Sequence, residues 1–379
     1  MKKIDSNMYL GAKKSLNTVI IIGWYVGLGA LIQSTVNSIW LSRKLGKKPV
    51  VWWGKSCLYT DKTQEGNTYA RLFQAPSDNN LDNLDFYRPN LLVYPNEWQS
   101  INGVSTVEEI DLLAPDISLC HSLEINSHQK FIDSDLCIIY QYFSSDLAIE
   151  LANLSGLKIN KEDFLNECND IFTQYFQPKT FIKDLAQNIW NDMSKSHKSH
   201  IIAMHLRGTD KFIEKAVPSP RRYIHTLKKL KYLTNDISFF IATDSESYLQ
   251  VMQNHLRKYF VAFQNMSRSR DSSALHYHYQ HPSDGFNNGV AMIIDIELLT
   301  KCETILAYPG SQIFWWLTRK QESENLTFTL IPVNPDCFNW IYAVWMVIRL
   351  MGFNAFLNFL RAQKSNLLSY IKSRQDTSK

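Results

Sequence analysis

No two cysteines in this 379-residue chain stand at C-x-x-C spacing, and no His accompanies one at the spacing of a zinc finger. The six present, Cys57, Cys120, Cys137, Cys168, Cys302 and Cys337, are scattered and read as free thiols in a reducing compartment. Charge of one sign is also missing. Forty basic against 36 acidic residues leave a formal net charge of +4, too small to argue for nucleic acid as a partner. The polar start, residues 1–18, carries Lys2, Lys3, Lys13 and Lys14 but lacks the apolar run of a secretory signal, so a cytoplasmic protein is expected. An unbroken apolar span is lacking too. The nearest, Phe338 to Leu360, is interrupted by Arg349, Gly352, Asn354 and Asn358, and Arg361, Lys364, Lys372 and Arg374 follow it. That pattern makes a poor transmembrane span. It suits a helical segment over residues 336–379 that packs back onto the protein, or that touches the inner face of a membrane peripherally through residues 338–374. No internal repeat is visible.

What is present is a chain with 45% hydrophobic and 20% charged residues, long enough for two cores. The β-branched run Thr18 to Ile22 leads through a glycine segment, Gly23-Trp24-Tyr25-Val26-Gly27-Leu28-Gly29, into a helical pattern from Ala30 to Leu45 that Gly46 ends. Pro49 to Trp53 is the next strand, completing a βαβ unit. Residues 58–176 alternate polar loops with short apolar pieces at Asn90–Tyr94 and Cys137–Tyr140. A helix with Phe181, Leu185, Ile189 and Trp190 on one face then leads to the polar breaker Ser194–His200. Apolar strands follow at His200–His205, Ile237–Ala242 and Glu303–Ala307. The expected class is α/β, with domains at 1–176 and 177–335 ahead of the C-terminal segment.

Three clusters sit just past strand ends, where doubly wound sheets place ligands. The first is His205-Leu206-Arg207-Gly208-Thr209-Asp210-Lys211. An Arg there can grip a diphosphate through its planar fork, which Lys cannot reproduce, although a solvated turn with an Arg–Asp pair has the same composition. In the second, Ile241-Ala242-Thr243-Asp244-Ser245-Glu246-Ser247, either Asp244 or Ser245 can serve as a helix N-cap. The third joins an apolar helix carrying Asp295 to the strand before Tyr308-Pro309-Gly310-Ser311-Gln312. A carboxylate on such a helix needs a partner, and N–H groups at a helix start can receive a phosphate.

This ordered series, together with Leu275-His276, resembles the α1,6-fucosyltransferases, nodulation fucosyltransferases and protein O-fucosyltransferases over about Pro178 to Leu317. The resemblance implies a GT-B fold, in which two Rossmann-like doubly wound domains face a cleft. The first is the acceptor side, with Gly23, Gly27 and Gly29 forming its glycine loop, and the second binds a GDP-sugar, fucose above all. It implies that Arg207 holds the β-phosphate, that His205 and Asp295 lie at the guanine, that Ser311 and Gln312 meet the phosphates, and that Asp244 shapes the pocket. Two positions depart from it: Gly208 stands where the closest relatives have a second Arg, and Ser245 where they have a second Asp.

A departing diphosphate needs its charge stabilised by a metal or by fixed cations. The one Asp-x-Asp, Asp133-Ser134-Asp135, precedes its strand instead of following it and reads as a turn, so no metal and no other cofactor is expected. Glu214, with Lys211 or Lys215 beside it, is the candidate base, and His276 a second. His276, His278 and Tyr223 are candidates to line an acceptor groove by stacking on sugar faces. The acceptor expected is a glycan: lipopolysaccharide, capsule or another oligosaccharide.

Overall fold

The computed structural model describes residues 17–77, 79, 92–95, 98, 106–118, 128–196, 200–209, 217–234, 236–271 and 273–335. The expected C-terminal helical segment, 336–379, lies outside them. The chain divides into two compact units, each an α/β structure on a parallel sheet.

In the first unit, β1 (Thr18–Ile22), β2 (Lys48–Trp52), β3 (Val93–Tyr94) and β4 (Leu136–Ile139) form a parallel sheet in the order β2-β1-β4-β3. Every residue of β1 and β4 is buried, as a strand covered on both faces requires, and hence the unbroken β-branched run. Helix α1 (Leu28–Lys44) opens at Gly27 and ends at Leu45, after which Gly46 takes φ +67°, a conformation open to glycine and strained for other residues. Helices α2 (Thr68–Leu72), α3 (Val107–Ser118), α4 (His128–Asp133), α5 (Ser145–Leu154) and α6 (Lys161–Tyr175) complete the covering, with α5 and α6 against α1. Beyond β2, the rings of Trp53, Tyr69, Phe73 and Phe176 pack edge-on or tilted at 5.2–6.1 Å.

The first unit extends further than the sequence boundary at 176. It runs to Asn191 and takes in α7 (Thr180–Ser196) to that point. The start of α7 is tied to α2 by Gln74 N–H to the Gln177 carbonyl (2.8 Å) and Lys179 N–H to the Leu72 carbonyl (3.0 Å). The face expected for α7 is also corrected. Ile182, Ala186 and Met193 are buried, whereas Phe181 and Leu185 are each 45% exposed. Tyr279–Leu298 and Trp315–Thr327 return to this unit, bringing most of α10 (Asp284–Thr300) and α11 (Gln312–Ser323). Arg71 lies 4.0 Å over the Phe286 ring, and Lys320 bridges Glu297 and Glu324 at 3.0 and 2.8 Å.

The second unit carries β5 (His200–Leu206), β6 (Ile237–Thr243), β7 (Val261–Ala262), β8 (Thr304–Ala307) and β9 (Thr329–Pro332), all parallel, in the order β7-β6-β5-β8-β9. Ile202, Met204 and Leu206 project from one face of β5, beside Phe239 and Ile241 of β6. They pack against Tyr223 and Leu227 of α8 (Pro220–Lys229) and Leu249 and Met252 of α9 (Glu246–His255). Among the described residues no helix is long and apolar enough to cross a membrane. Ile241 is fully buried. Its replacement by Ala should lower stability by about 2–5 kcal/mol, seen as a lower urea midpoint at an unchanged slope.

Candidate functional site

The strand order of the second unit turns at β5, the first strand laid down, so the chain leaves β6 on one side and β8 on the other. His205 is level with Ala242 on β6 and with Ala307 on β8. The first two clusters and the Tyr308–Gln312 part of the third therefore follow adjacent strands at their carboxyl ends, where open α/β sheets bind ligands.

Asp244 organises the first loop. Its carboxylate accepts from Nη1 of Arg207, from the Gly208 N–H at 2.9 Å and from the Thr209 hydroxyl at 2.8 Å. The Arg207 and Asp244 side chains are 29% and 14% exposed, so their pairing is partly sheltered from water. A guanidinium has five N–H donors in a planar fork, and Asp244 takes one at Nη1, which holds Arg207 in place. Between the two candidate caps, Ser245 is the one that caps α9, accepting from Tyr248 N–H at 3.4 Å. Asp244 is the hub of the neighbouring loop. The sequence assigned no role to Thr209, and its place between Gly208 and an acidic residue was the only signal.

Gly208 is packed shut. A Cβ there would lie 2.5 Å from Cβ of Ser245 and 2.9 Å from the Tyr248 ring. The backbone that delivers Gly208 N–H to Asp244 therefore leaves no room for an Arg at this position.

The His205 ring is half-buried, and its Nδ1 is shut off from solvent with no hydrogen-bond partner among the described residues. Burial pushes its pKa down to about 4, with Arg207 assisting and Asp244 opposing, so the imidazole is neutral at physiological pH. On β8's side, Tyr308 covers Gly310: a Cβ at Gly310 would meet the Tyr308 ring at 2.4 Å. The Ser311 hydroxyl accepts from Ile313 N–H at 3.2 Å, capping α11. Gln312 follows as its first residue, and its Oε1 is buried without a partner among the described residues.

Tyr223 needs correction. It is fully buried on α8, and its hydroxyl donates to the His205 carbonyl at 2.8 Å, which makes it a core residue beneath the site and not part of an acceptor groove. His276 lies in the 3-10 turn Leu275–His278, its ring 4.3 Å from Tyr277, which is 74% exposed. His278 is clamped instead: its Nε2 is 2.6 Å from the Ser273 hydroxyl and 3.1 Å from Asp271. The Ser273 hydroxyl and N–H hold the Asp271 carboxyl well below the usual range.

Asp295 is 9% exposed on α10, in the stretch counted with the first unit, so the second unit by itself does not supply it. In that first unit, Gly23 is required, since a Cβ would meet the Trp53 side chain at 2.8 Å. Gly27 is the N-cap of α1 with open space around it, and Gly29 is buried in the first turn. Asp210, Lys211, Glu214 and Lys215 lie outside the described residues. Asp133 closes α4 and Asp135 sits at the amino edge of the first sheet, where it accepts from Leu92 N–H at 3.2 Å. Among the described residues no three His, Cys, Asp or Glu side chains are grouped to hold a metal.

No family model and no curated protein matches the sequence. Among solved structures, the chain is similar to fucosyltransferase NodZ from Bradyrhizobium, at 16% identity over 79% of this chain and 92% of that one, with a TM-score of 0.46. It is also similar to POFUT1 in complex with GDP, at 12% identity over 83% and 99%, TM-score 0.46. A third is Arabidopsis thaliana FUT1 in complex with GDP, at 12% identity over 80% and 68%, TM-score 0.42.

Two outcomes check this geometry. Gly208→Ala should cost about 1–3 kcal/mol through overpacking, and adding Ser245→Gly should recover part of the loss, as measured by chemical denaturation of the single and double variants. Because His205 resists protonation only when folded, its contribution is fully present above pH 6.5 and is lost as pH falls toward about 4. His205→Gln should flatten that part of a urea-midpoint profile against pH.

Proposed function

We propose that this chain is an inverting glycosyltransferase that takes a sugar from a GDP-sugar, fucose by the sequence resemblance, and passes it without a metal to a glycan hydroxyl. The observation that carries this reading is the second unit's switch point. There an Arg held by a carboxylate that accepts from three groups, a neutral His with a buried Nδ1 and a helix-opening Gln with a buried Oε1, both without partners among the described residues, stand at adjacent strand ends. Buried polar atoms without partners are rare in folded proteins, and a polar ligand supplies what they lack.

Transfer passes through an oxocarbenium-like transition state and leaves negative charge on the diphosphate. Arg207 is the group to meet that charge, oriented beforehand by Asp244 so that little reorganisation is needed as the bond breaks. Ser311 and Gln312 would assist at the phosphates. Asp295 would accept from the guanine N1–H and N2–H₂, with His205 beside the ring. Glu214 is the proposed base, aided by Lys211, and His276 with Tyr277 offers an aromatic face to an acceptor such as lipopolysaccharide, capsule or another oligosaccharide. A cytoplasmic location, peripheral at the inner face of a membrane, belongs to the same proposal. One observation favours a second reading, a donor other than GDP-fucose or a homologue that binds without turnover: Gly208 cannot carry the second Arg of the related enzymes.

Acceptor-stimulated release of GDP from GDP-fucose supports transfer, and binding without turnover supports the second reading. The donor itself should raise Tm, by roughly 2.7 kcal/mol of added stability at 100 times its Kd. Arg207→Lys should lose on the order of 2.7–4 kcal/mol of transition-state stabilisation, seen mainly in kcat. Asp295→Asn should raise KM for the donor and leave kcat largely unchanged, because guanine is held equally in ground and transition states. Activity should survive EDTA; its loss with recovery on Mn²⁺ would overturn the metal-free part.

A further inference from the structure

Away from the second unit's strand ends, the first unit keeps a buried carboxyl at the carboxyl end of its own sheet. Asp111 on α3 is 2% exposed. Its Oδ2 accepts from Ser56 N–H at 3.3 Å, and the Lys55 N–H also reaches the carboxyl. The Ser56 hydroxyl lies within hydrogen-bond reach of two acceptor atoms at once: Oδ1 of Asp111, and the Gly23 carbonyl at 2.8 Å. The Tyr140 hydroxyl, just past β4, also reaches Ser56. Gly54 packs directly on this carboxyl: a Cβ there would lie 2.4 Å from Asp111 Oδ2 and 2.5 Å from Trp52 Nε1.

A serine hydroxyl has one hydrogen and two lone pairs. If Asp111 is ionised, that hydrogen goes to the carboxylate, and the Gly23 carbonyl faces the Ser56 oxygen with nothing between them. If Asp111 carries a proton, it donates to Ser56 and Ser56 donates to Gly23, so the Asp111, Ser56 and Gly23 oxygens each have a partner, while the buried Trp52 Nε1 has none among the described residues in either case. We propose that Asp111 is a positioning residue that works as a proton donor, holding the glycine loop Gly23 to Gly29 in place through Ser56.

The charged and titratable neighbours agree with a neutral carboxyl. Glu108 on the same helix opposes ionisation of Asp111. Lys55 directs its ammonium to Glu65 at 3.7 Å. Burial raises the Cys57 thiol to about 12 and raises the Tyr140 hydroxyl as well, so neither carries charge near neutrality. Burial raises the Asp111 carboxyl too, against the hydrogen bonds from Ser56 and Lys55. The proposal does not depend on the GDP-sugar reading, because every measurement below uses the free protein.

Asn at 111 copies the protonated acid, its amide N–H donating to Ser56. Hydrogen exchange should therefore show the segment 23–29 as well protected in Asp111→Asn as in the wild type. Ser56→Ala, which deprives Gly23 of its donor, should speed exchange there about tenfold. A carboxyl raised by folding stabilises below its unfolded value near 3.8 and loses that contribution as pH rises through its folded value. The Tm of Asp111→Asn minus that of the wild type should therefore grow as pH rises above about 4. A difference that stays constant with pH, or an Asp111→Asn variant that exchanges as fast as Ser56→Ala, would overturn the proposal.

Discussion

One carboxylate sets the arrangement of the loops at the second unit's strand ends. Asp244 stands at the end of β6, and its two oxygens gather the guanidinium of Arg207, the N–H of Gly208 and the hydroxyl of Thr209. A loop leaving a strand end has few backbone partners of its own, and three donors on one acid replace them. The pairing also keeps a strong cation in a sheltered place, where it would be expensive to leave unpaired. The same close approach closes Gly208 against Ser245 and Tyr248, so the hub and the missing side chain at 208 are parts of one packing arrangement.

Around that hub, the polar groups at the strand ends differ in how firmly they are engaged. Ser311 and Ser245 are committed to helix caps. Beneath, Tyr223 holds the His205 carbonyl from the core, fixing the backbone from which the imidazole projects. His205 Nδ1 and Gln312 Oε1 are shut off from water without protein partners among the described residues. A buried polar atom in that condition is costly in the free protein, and binding that satisfies it starts from a higher ground.

The parallel sheets were legible because their strands are buried on both faces: Thr18 to Ile22 and Ile237 to Ala242 read as continuous apolar runs, and Gly46 stands where a helix must stop. The clusters at 205–209, 244 and 311–312 stood out because charged and polar residues follow such runs directly, and capping and loop anchoring are among their uses. Side-chain direction was not legible. Tyr223 sits amid basic residues on α8 and looks surface-bound until its hydroxyl is traced to a backbone carbonyl. On α7 the buried stripe is carried by Ile182 and Ala186, while the bulkier Phe181 and Leu185 are half-exposed, a case of tertiary packing overriding residue size. Asp111 lies in an ordinary amphipathic pattern, and its surroundings come from Ser56, 55 residues away in sequence.

The course of the chain between the two units carries its own consequence. It passes from one to the other at 191/192, 278/279, 298/299, 314/315 and 327/328, and three of those points fall inside α7, α10 and α11. Neither unit is a contiguous stretch of gene, so neither can be cut out, exchanged or fused as a cassette without severing a helix. A single crossover between residues 192 and 327 parts the segments of both units at once. The two units are therefore best expressed and engineered as one piece.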